Sequence, residues 1–323
     1  LLKLLRDKGL LIISLLFCNE VCQAQMRSKS SYRPKLAELS ISSVNSHYMT
    51  SSSDDFGNES IDKRFVRVRF KTLAPIIVKD SLKVGLQLSY LQQRFLFGGD
   101  KRSPSTDFGR HLTDENFKNV GATLLVQKSL SNNSKLTLVG GFGYNGTHLD
   151  FNPNGRKYVF STFYQKRLNP SLSIGGGFLL NYNDVGIRAL PLFTFDKDLS
   201  NKWNLTLTLP RSIKARYQVS NKSFLTFNVE VDGWRYNLGS AYQDYGANQL
   251  IISRLDLNKS LIFEKEINDW LWFGAEAGWN QNLRYFIAEA GEQYRDALDT
   301  FSEASAPFGK LSLFVVVPSK FVR

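Results

Sequence analysis

The sequence predicts an all-β fold, a transmembrane antiparallel up-and-down β-barrel of about 14 strands. Two observations lead to this prediction. Between residues 36 and 317, runs of roughly eight to sixteen residues alternate apolar with polar side chains, as strands with one apolar and one polar face do. Every second connection between runs is a short polar turn, and the others are mostly longer. Short turns on one side and long loops on the other are typical of barrels that cross the bacterial outer membrane.

Composition excludes the main alternatives. Hydrophobic residues make up 42% of the chain, yet no unbroken stretch of about 20 apolar residues occurs, so a helical membrane protein is excluded. No change in composition divides the chain after residue 36, which indicates a single domain. Both cysteines, Cys18 and Cys22, precede residue 25. The rest of the chain therefore has no thiol for a disulfide or a thiolate metal site.

The N-terminal residues have the layout of a secretory signal. Basic residues precede an apolar run over 9–17, and small and polar residues follow it as far as Ala24. Cleavage is expected between Ala24 and Gln25. The predicted organisation is a signal peptide at 1–24, a periplasmic lead-in at 25–35 and the barrel at 36–323.

The first half of the barrel region contains seven predicted strands. The first covers 36–47, and a polar loop follows it. In the second strand three basic residues face one side and three apolar residues the other, as expected between water and lipid. The lipid-facing residues predicted for the seven strands, in order, are Leu39 and Ile41; Val66, Val68 and Phe70; Leu82, Val84, Leu86, Leu88 and Tyr90; Val120, Ala122, Leu124 and Val126; Leu136, Leu138, Gly140, Phe142 and Tyr144; Tyr158, Phe160, Thr162 and Tyr164; Leu172, Ile174, Gly176, Phe178, Leu180 and Tyr182.

The second half contains seven more, which gives an even total. Pro191 and Pro210 interrupt strands eight to ten, and because proline cannot donate to a β-ladder, a 12-stranded barrel stays open as an alternative. The lipid-facing residues predicted here are Ile187, Ala189, Phe193 and Phe195; Trp203, Leu205, Leu207 and Leu209; Ile213, Ala215, Tyr217 and Val219; Leu225, Phe227, Val229 and Val231; Ile251, Ser253, Leu255 and Leu257; Leu271, Phe273, Ala275, Ala277 and Trp279; Leu311, Leu313, Val315 and Val317.

Aromatic residues are concentrated near the predicted strand ends. They make up 13% of the chain, and this placement predicts girdles at the two membrane interfaces. The residues assigned to these girdles are Phe95, Phe97, Tyr144, Tyr182, Trp203, Trp234, Tyr236, Trp270, Trp272 and Tyr285.

Charged side chains on the polar faces are the candidate functional residues. The formal net charge of +12 is dispersed through strands and turns, which argues against nucleic acid as a partner. For an exported protein it favours outer-membrane lipid, lipopolysaccharide and anionic solutes. A ladder of cross-strand ion pairs filling the interior is the alternative explanation. The predicted lumen-facing residues are Arg67, Arg69, Lys71, Arg188, Lys214, Arg216, Glu230, Asp232, Arg254, Asp256 and Glu276.

No motif predicts catalysis, a metal or a cofactor. His47, His111 and His148 have no partner at metal-ligand spacing, and no serine or cysteine nucleophile accompanies them. The glycines of 141–146 match a dinucleotide-binding pattern, but the residues that follow include Pro153 and cannot begin the helix that this pattern requires. We therefore expect a protein that is not an enzyme.

From the end of the signal at 23–25 to the closing strand at 309–318, the chain resembles uncharacterised outer-membrane β-barrel families of Gram-negative bacteria, of the domain-of-unknown-function type. The segment 205–210, followed by a second short strand, is also similar to such a family. The type IX secretion barrels of the PorP/SprF kind are similar in size, but their Asn-Pro-rich opening is absent here. The resemblance implies a fold and an outer-membrane location, and it implies no activity.

Two functional hypotheses follow from the sequence. The first is a passive channel or solute-transport barrel with a net-basic polar lumen. The second is a structural or partner-binding, secretion-associated barrel whose lumen is plugged by side chains and by the loops 97–117 and 287–307. It predicts a periplasmic or surface partner, whose identity the sequence leaves open.

Overall fold

The strands of the chain join edge to edge into one closed β-barrel. The computed structural model describes residues 33–52, 61–97, 112, 115–131, 133–239 and 249–319. The predicted signal peptide at 1–24 and most of the predicted lead-in lie outside the described residues.

The described residues form fifteen antiparallel strands. Their first strand begins within one residue of the predicted start of the barrel. Their bounds are β1 Lys35–Ser51, β2 Ile61–Val78, β3 Leu82–Phe97, β4 Asn116–Ser131, β5 Ser134–Gly146, β6 Arg156–Asn169, β7 Leu172–Asn183, β8 Gly186–Asp198, β9 Trp203–Leu209, β10 Ser212–Ser220, β11 Ser223–Asn237, β12 Leu250–Glu266, β13 Leu271–Glu289, β14 Asp299–Glu303 and β15 Ala306–Val316.

Two of these strands share one position in the barrel wall. Both β14 and β15 lie between β13 and β1, so that Leu313 pairs with Leu39 on one side and with Phe273 on the other. The described wall therefore has fourteen positions, closed by the pairing of β1 with β15. This confirms the predicted fold class and strand number.

The two ends of the barrel differ in their connections. We call the end that holds the β2–β3, β4–β5 and β12–β13 connections the turn end, and the opposite end the loop end. At the loop end the connections after β7 and β9 are only two residues long, which differs from the longer loops expected there. The predicted loop 287–307 also contains a wall strand, β14.

The barrel wall is shorter at β9 and β10 than at the neighbouring strands. These strands have seven and nine residues, whereas β11 and β12 have 15 and 17. The last residue of β8 that pairs with β9 is Phe193, opposite Leu209. Pro191 therefore lies beyond the end of β9, where no β9 acceptor faces it, and Pro210 lies in the turn. Both prolines are compatible with the fourteen-stranded barrel, because Pro191 keeps its position opposite Phe178 in the β7–β8 ladder and has no β9 partner, and Pro210 lies outside the ladders.

An apolar belt surrounds the barrel. Outward side chains such as Leu124, Leu138, Phe160 and Phe227 are exposed, while their inward neighbours on the same strands are mostly polar or buried. Trp203 and Trp270 lie at the turn end of the belt, and Tyr182 lies near its loop end, as predicted for interfacial girdles.

The other predicted girdle residues require a correction. Phe95, Trp234, Tyr236, Trp272 and Tyr285 are buried and pack inside the barrel. Tyr144 is also buried, with its ring 5.1 Å from that of Phe151. The side chain of Phe97 lies outside the described residues. These rings occupy inward positions or positions beneath a loop, so a location near a strand end did not distinguish them from interfacial residues.

The predicted lipid face also fails at the loop end of β12. Every residue from Leu250 to Asp256 is buried, so both faces of this segment are covered. Residues after β13 provide the cover on the outer side, where Ala290 and Ala297 pack against Ile251 and Phe286. Ile251, Ser253 and Leu255 therefore contact protein where lipid was expected.

Among the described residues, no α-helix has the length and apolar character needed to cross a membrane.

The belt makes a prediction about stability in lipid. Leu124→Arg places a charge at the middle of β4 and should lower the free energy of unfolding by about 2–4 kcal/mol. Leu149→Arg, at an exposed position in the β5–β6 connection, is the matched control and should change it by less than about 0.5 kcal/mol. Denaturant titration in lipid vesicles measures both, and equal losses would argue against a lipid-facing belt.

Candidate functional site

A cavity of about 370 Å³ occupies the lumen towards the turn end. Its lining combines small polar residues with charged ones. The basic residues outnumber the acidic ones by nine to six among the described residues, a net charge of +3. The basic lining residues are Lys35, Arg67, Arg69, Lys71, Lys157, Arg211, Lys214, Arg216 and Lys310, and the acidic ones are Glu38, Asp196, Glu230, Asp232, Glu264 and Glu276.

The structure brings eight of the eleven sequence-predicted residues together around this cavity. These are Arg67, Arg69, Lys71, Lys214, Arg216, Glu230, Asp232 and Glu276. The other three lie elsewhere. Arg254 and Asp256 are buried near the loop end, and Arg188 lies on β8 beyond the end of β9.

Ion pairs connect strands across and around the cavity. The Arg67 guanidinium on β2 donates to the Asp232 carboxylate on β11 at 2.9 Å, and these strands are far apart in the sheet order. Arg216 on β10 donates to Glu264 on β12 at 2.8 Å. Because each pair joins non-adjacent strands, the charges brace the barrel from inside as well as lining it.

The remaining lining carboxylates are also engaged. Arg211 pairs with Glu230 at 2.9 Å, and Lys310 lies 3.6 Å from both Glu38 and Glu276. Asp196 accepts a hydrogen bond from Thr206 at 2.8 Å. Since every lining carboxylate has a basic or hydroxyl partner, the excess of three cations gives the cavity a positive field.

Aromatic rings fill the lumen between this cavity and the loop end. We call this cluster the aromatic plug; it comprises Phe65, Phe95, Phe117, Trp234, Tyr236, Tyr285 and Phe301. Phe95 is central, with its ring centroid 5.0 Å from Phe117 and 5.6 Å from Trp234. Phe65, Trp234 and Tyr236 also line the cavity, so the plug forms its floor on the loop side.

A buried ion cluster lies beside the plug. Arg254, with no exposed side-chain surface, donates through Nε to both Asp256 carboxylate oxygens at 2.8 Å and also pairs with Glu303. Glu303 contacts Nε2 of His47 at 3.1 Å, and Nδ1 of His47 lies 2.8 Å from the carbonyl oxygen of Asn45. Both ring nitrogens thus lie within hydrogen-bond distance of an oxygen atom.

A second aromatic cluster lies at the turn end. The rings of Phe224 and Phe314 stack on opposite sides of Trp272, with centroids 5.8 and 6.1 Å away. Arg33, just before β1, lies over Trp272 and pairs with Glu266 at 3.0 Å. It also contacts Asp269 in the β12–β13 turn. Hydrogen bonds from Ser319 and then from Arg33 hold the pKa of that carboxyl below its usual range.

The lining includes residues that the sequence analysis did not select: Lys35, Glu38, Lys157, Asp196, Arg211, Glu264 and Lys310. Alternation alone could have identified several, since Glu38 alternates with Leu39 and Lys310 with Leu311. Arg211 carried no such signal because it belongs to a turn. It reaches the lumen only because β9 and β10 end early.

Within the described residues, no group of three or more histidine, cysteine, aspartate or glutamate side chains is arranged to hold a metal. His148 contacts the Thr147 hydroxyl at 3.0 Å in the connection after β5.

This architecture defines the class of protein as a closed, fourteen-stranded antiparallel barrel. The chain belongs to the family of the domain of unknown function DUF6268, whose family model matches residues 105–289. This agrees with the first of the two resemblances predicted from sequence. No curated protein matches the chain.

Solved structures similar to this chain include several membrane barrels. An outer membrane channel from Pseudomonas putida F1 has a TM-score of 0.44 at 10% identity, over 90% of this chain and 100% of that one. The toluene transporter TodX of Pseudomonas putida has a TM-score of 0.36 at 10% identity, over 94% and 95%. The translocator domain of the autotransporter NalP from Neisseria meningitidis has 0.36 at 9%, over 90% and 91%. Identities and scores this low carry no information about the activity of this protein.

The buried ion cluster makes a prediction about stability. Arg254→Met removes the cation and leaves Asp256 and Glu303 buried without it, which should lower the free energy of unfolding by about 3–5 kcal/mol. The control is Arg295→Met, which breaks an exposed pair with Asp296 and should cost less than about 1 kcal/mol. Unfolding in detergent or lipid provides the measurement, and a loss for Arg254→Met no larger than the control would contradict this account.

Proposed function

We propose that this protein lies in the bacterial outer membrane and serves as a channel for small anionic solutes. The observation that carries the proposal is the polar cavity of about 370 Å³, in which nine basic side chains face six acidic ones among the described residues. A filled structural barrel needs no such space, whereas a solute pathway does.

The orientation follows from the connections. In outer-membrane barrels the short turns face the periplasm and the longer loops face outward. The turn end of this barrel is therefore assigned to the periplasm. Cavity-lining residues at that end, including Leu36, Thr72 and Leu73, are partly exposed, so solvent reaches the cavity from the periplasmic side.

The arrangement supports a gated channel, for which this conformation would be the closed state. The aromatic plug lies between the cavity and the outer side, and its central ring, Phe95, is fully buried. Passage of a solute requires these rings to move. Anions would be concentrated in the cavity by its positive field before they reach the plug, because opposite charge in a low-dielectric lumen raises local concentration.

The second candidate function is a structural or partner-binding barrel with a plugged lumen. The packing of the plug favours it, since neighbouring rings at centroid distances of 4.6 to 6.1 Å resemble a stable core. The segments 97–117 and 287–307, which were proposed to fill the lumen, contribute the described residues Leu112, Phe117, Ile287, Phe301 and Ala306 to the hydrophobic cluster that contains the plug.

Removing the centre of the plug separates the two candidates. Phe95→Ala combined with Phe117→Ala takes out two rings in contact and should raise the open probability in planar-bilayer recordings well above that of the native protein. Leu149→Ala in an exposed loop is the control and should leave the recordings unchanged. If neither the native protein nor the double variant conducts, and each is verified as folded, the result would reject the channel and favour the plugged barrel.

The charge of the lumen should set ion selectivity. Arg69→Glu with Lys71→Glu changes the lining charge from +3 to −1 and should shift the reversal potential in a salt gradient from anion-selective towards cation-selective. The matched control makes the same charge change outside the lumen, with Lys79→Glu in the β2–β3 turn and Lys202→Glu in the β8–β9 turn, both exposed. If the control shifts the potential as much, the lumen charge does not determine selectivity.

A further inference from the structure

The wall of the barrel has a gap where β9 and β10 end early. Beyond Phe193, the seven residues Gly186–Leu192 of β8 have no described strand beside them on the β9 side. Across the gap, β11 continues past Glu230, the last residue that pairs with β10. At about 3.3 Å per residue, this edge of β8 is about 23 Å long. We call the gap the window.

Polar contacts define the two borders of the window, the lower one towards the turn end and the upper one towards the loop end. At its lower border, Arg211 in the β9–β10 turn donates its amide to Thr208 and accepts a hydrogen bond from Val231. At its upper border, Asp184 in the β7–β8 connection binds Arg235 of β11, with Nη2 to Oδ2 at 2.5 Å. The tip of β11 pairs with β5, Asn237 against Gly146, so β11 passes behind β6–β8.

The depth of the window follows from strand length. A strand needs about 9–11 residues to cross the hydrocarbon region of a membrane, and β9 has seven. The Pro210–Arg211 turn therefore lies within the apolar belt. Since the turn is at the loop end of β9, the window opens into the outer half of the bilayer.

The inner rim of the window carries polar groups with no partner. Asn181 is fully buried, and neither its Nδ2 nor its Oδ1 has a hydrogen bond among the described residues. Its cross-strand neighbour is Arg188, whose Nε and Nη1 are buried and likewise without a hydrogen-bond partner among these residues. Buried polar atoms are costly to leave unpaired, so two such side chains at one cross-strand position indicate a site for a polar ligand.

The charge around Arg188 defines the chemistry of that ligand. Its electrostatic neighbours include Arg235, Asp184 and Arg284. With Arg188 these make three guanidinium groups and one carboxylate, a formal net charge of +2, and Lys157 of the cavity lining is a further basic neighbour. A phosphate monoester carries about −1.5 to −2 and offers several acceptor oxygens, which matches this site better than a singly charged carboxylate does.

We propose that the window is a binding site for a phosphorylated lipid of the outer leaflet. The phosphate would bind Arg188 and Asn181, while the acyl chains stay in the bilayer beside the free edge of β8, where Ile187, Ala189 and Pro191 face outward. The site is separate from the lumen cavity, whose lining does not include Arg188 or Asn181. Experiments can therefore support or contradict lipid binding at the window independently of the channel proposal.

The test uses the full chain folded in detergent, with lipid A that carries its phosphates as the probe and native mass spectrometry as the readout. The native protein should retain lipid A, and the same lipid with its phosphates removed should bind at least about tenfold more weakly. Equal binding of the two lipids, or no binding of either, would overturn the proposal. Equal binding of inorganic phosphate or of palmitate would also overturn it, because the site would then not select a lipid phosphate.

Variants locate the site. Arg188→Gln should weaken lipid A binding about tenfold or more. Asn181→Leu removes the unpaired amide and keeps a similar volume, so it should fold even if Arg188→Gln does not, and it should also weaken binding. Arg167→Gln, an exposed basic position at the turn end of β6, is the matched control and should bind as the native protein does. Unchanged binding by Asn181→Leu would overturn the assignment of this site.

Discussion

The requirement that backbone N–H and C=O groups be paired within an apolar surrounding governs this structure. A closed ladder meets it for most of the circumference, where each strand pairs on both sides and β15 completes the ring with β1. The short strands β9 and β10 are the place where the ladder is incomplete. There the chain reduces the number of open groups, since Pro191 has no N–H and Arg211 is bonded through both its amide and its carbonyl to neighbouring strands.

The interior of the barrel has two regions, which differ in the side chains that face each other across the lumen. Towards the loop end, large rings meet and exclude water, so that the charges there must be neutralised in contact, as Arg254 is by Asp256 and Glu303. Towards the turn end, small polar residues such as Ser40 and Ser89 lie between the charged ones and leave space, and pairs such as Arg67 with Asp232 reach across it. The cavity therefore lies where small polar and charged residues take the inward positions, between the aromatic plug and the aromatic cluster at the turn end.

The sequence predicts the strands well because alternation is a local signal. It predicts side-chain direction where the alternation is unbroken, so the inward direction of Phe95 and Trp234 follows from their place relative to Leu88 and Val231. Assigning them to girdles from their position near strand ends was wrong for this reason. Tyr285 is different. The register of β12 and β13 shifts at Leu283, which turns the following residues to the opposite face, and no local pattern predicts that bulge. The inward direction of Arg211 and the cover over β12 depend on contacts between distant strands, which periodicity does not contain.

The two proposed sites are separated by a single strand. Along β11, Asp232, Trp234 and Tyr236 face the cavity and the aromatic plug, whereas Arg235, between them, faces Asp184 and the window. This alternation is the same period of two that places lipid and water on opposite faces elsewhere in the wall. Because β9 and β10 are short, β11 has no β10 partner above Glu230; it stays paired with β12 and also pairs at its tip with β5. A displacement of this segment towards β8 would widen the lumen at the plug and narrow the window. The short strands would thus couple the geometry of the proposed anion pathway to that of the proposed lipid site.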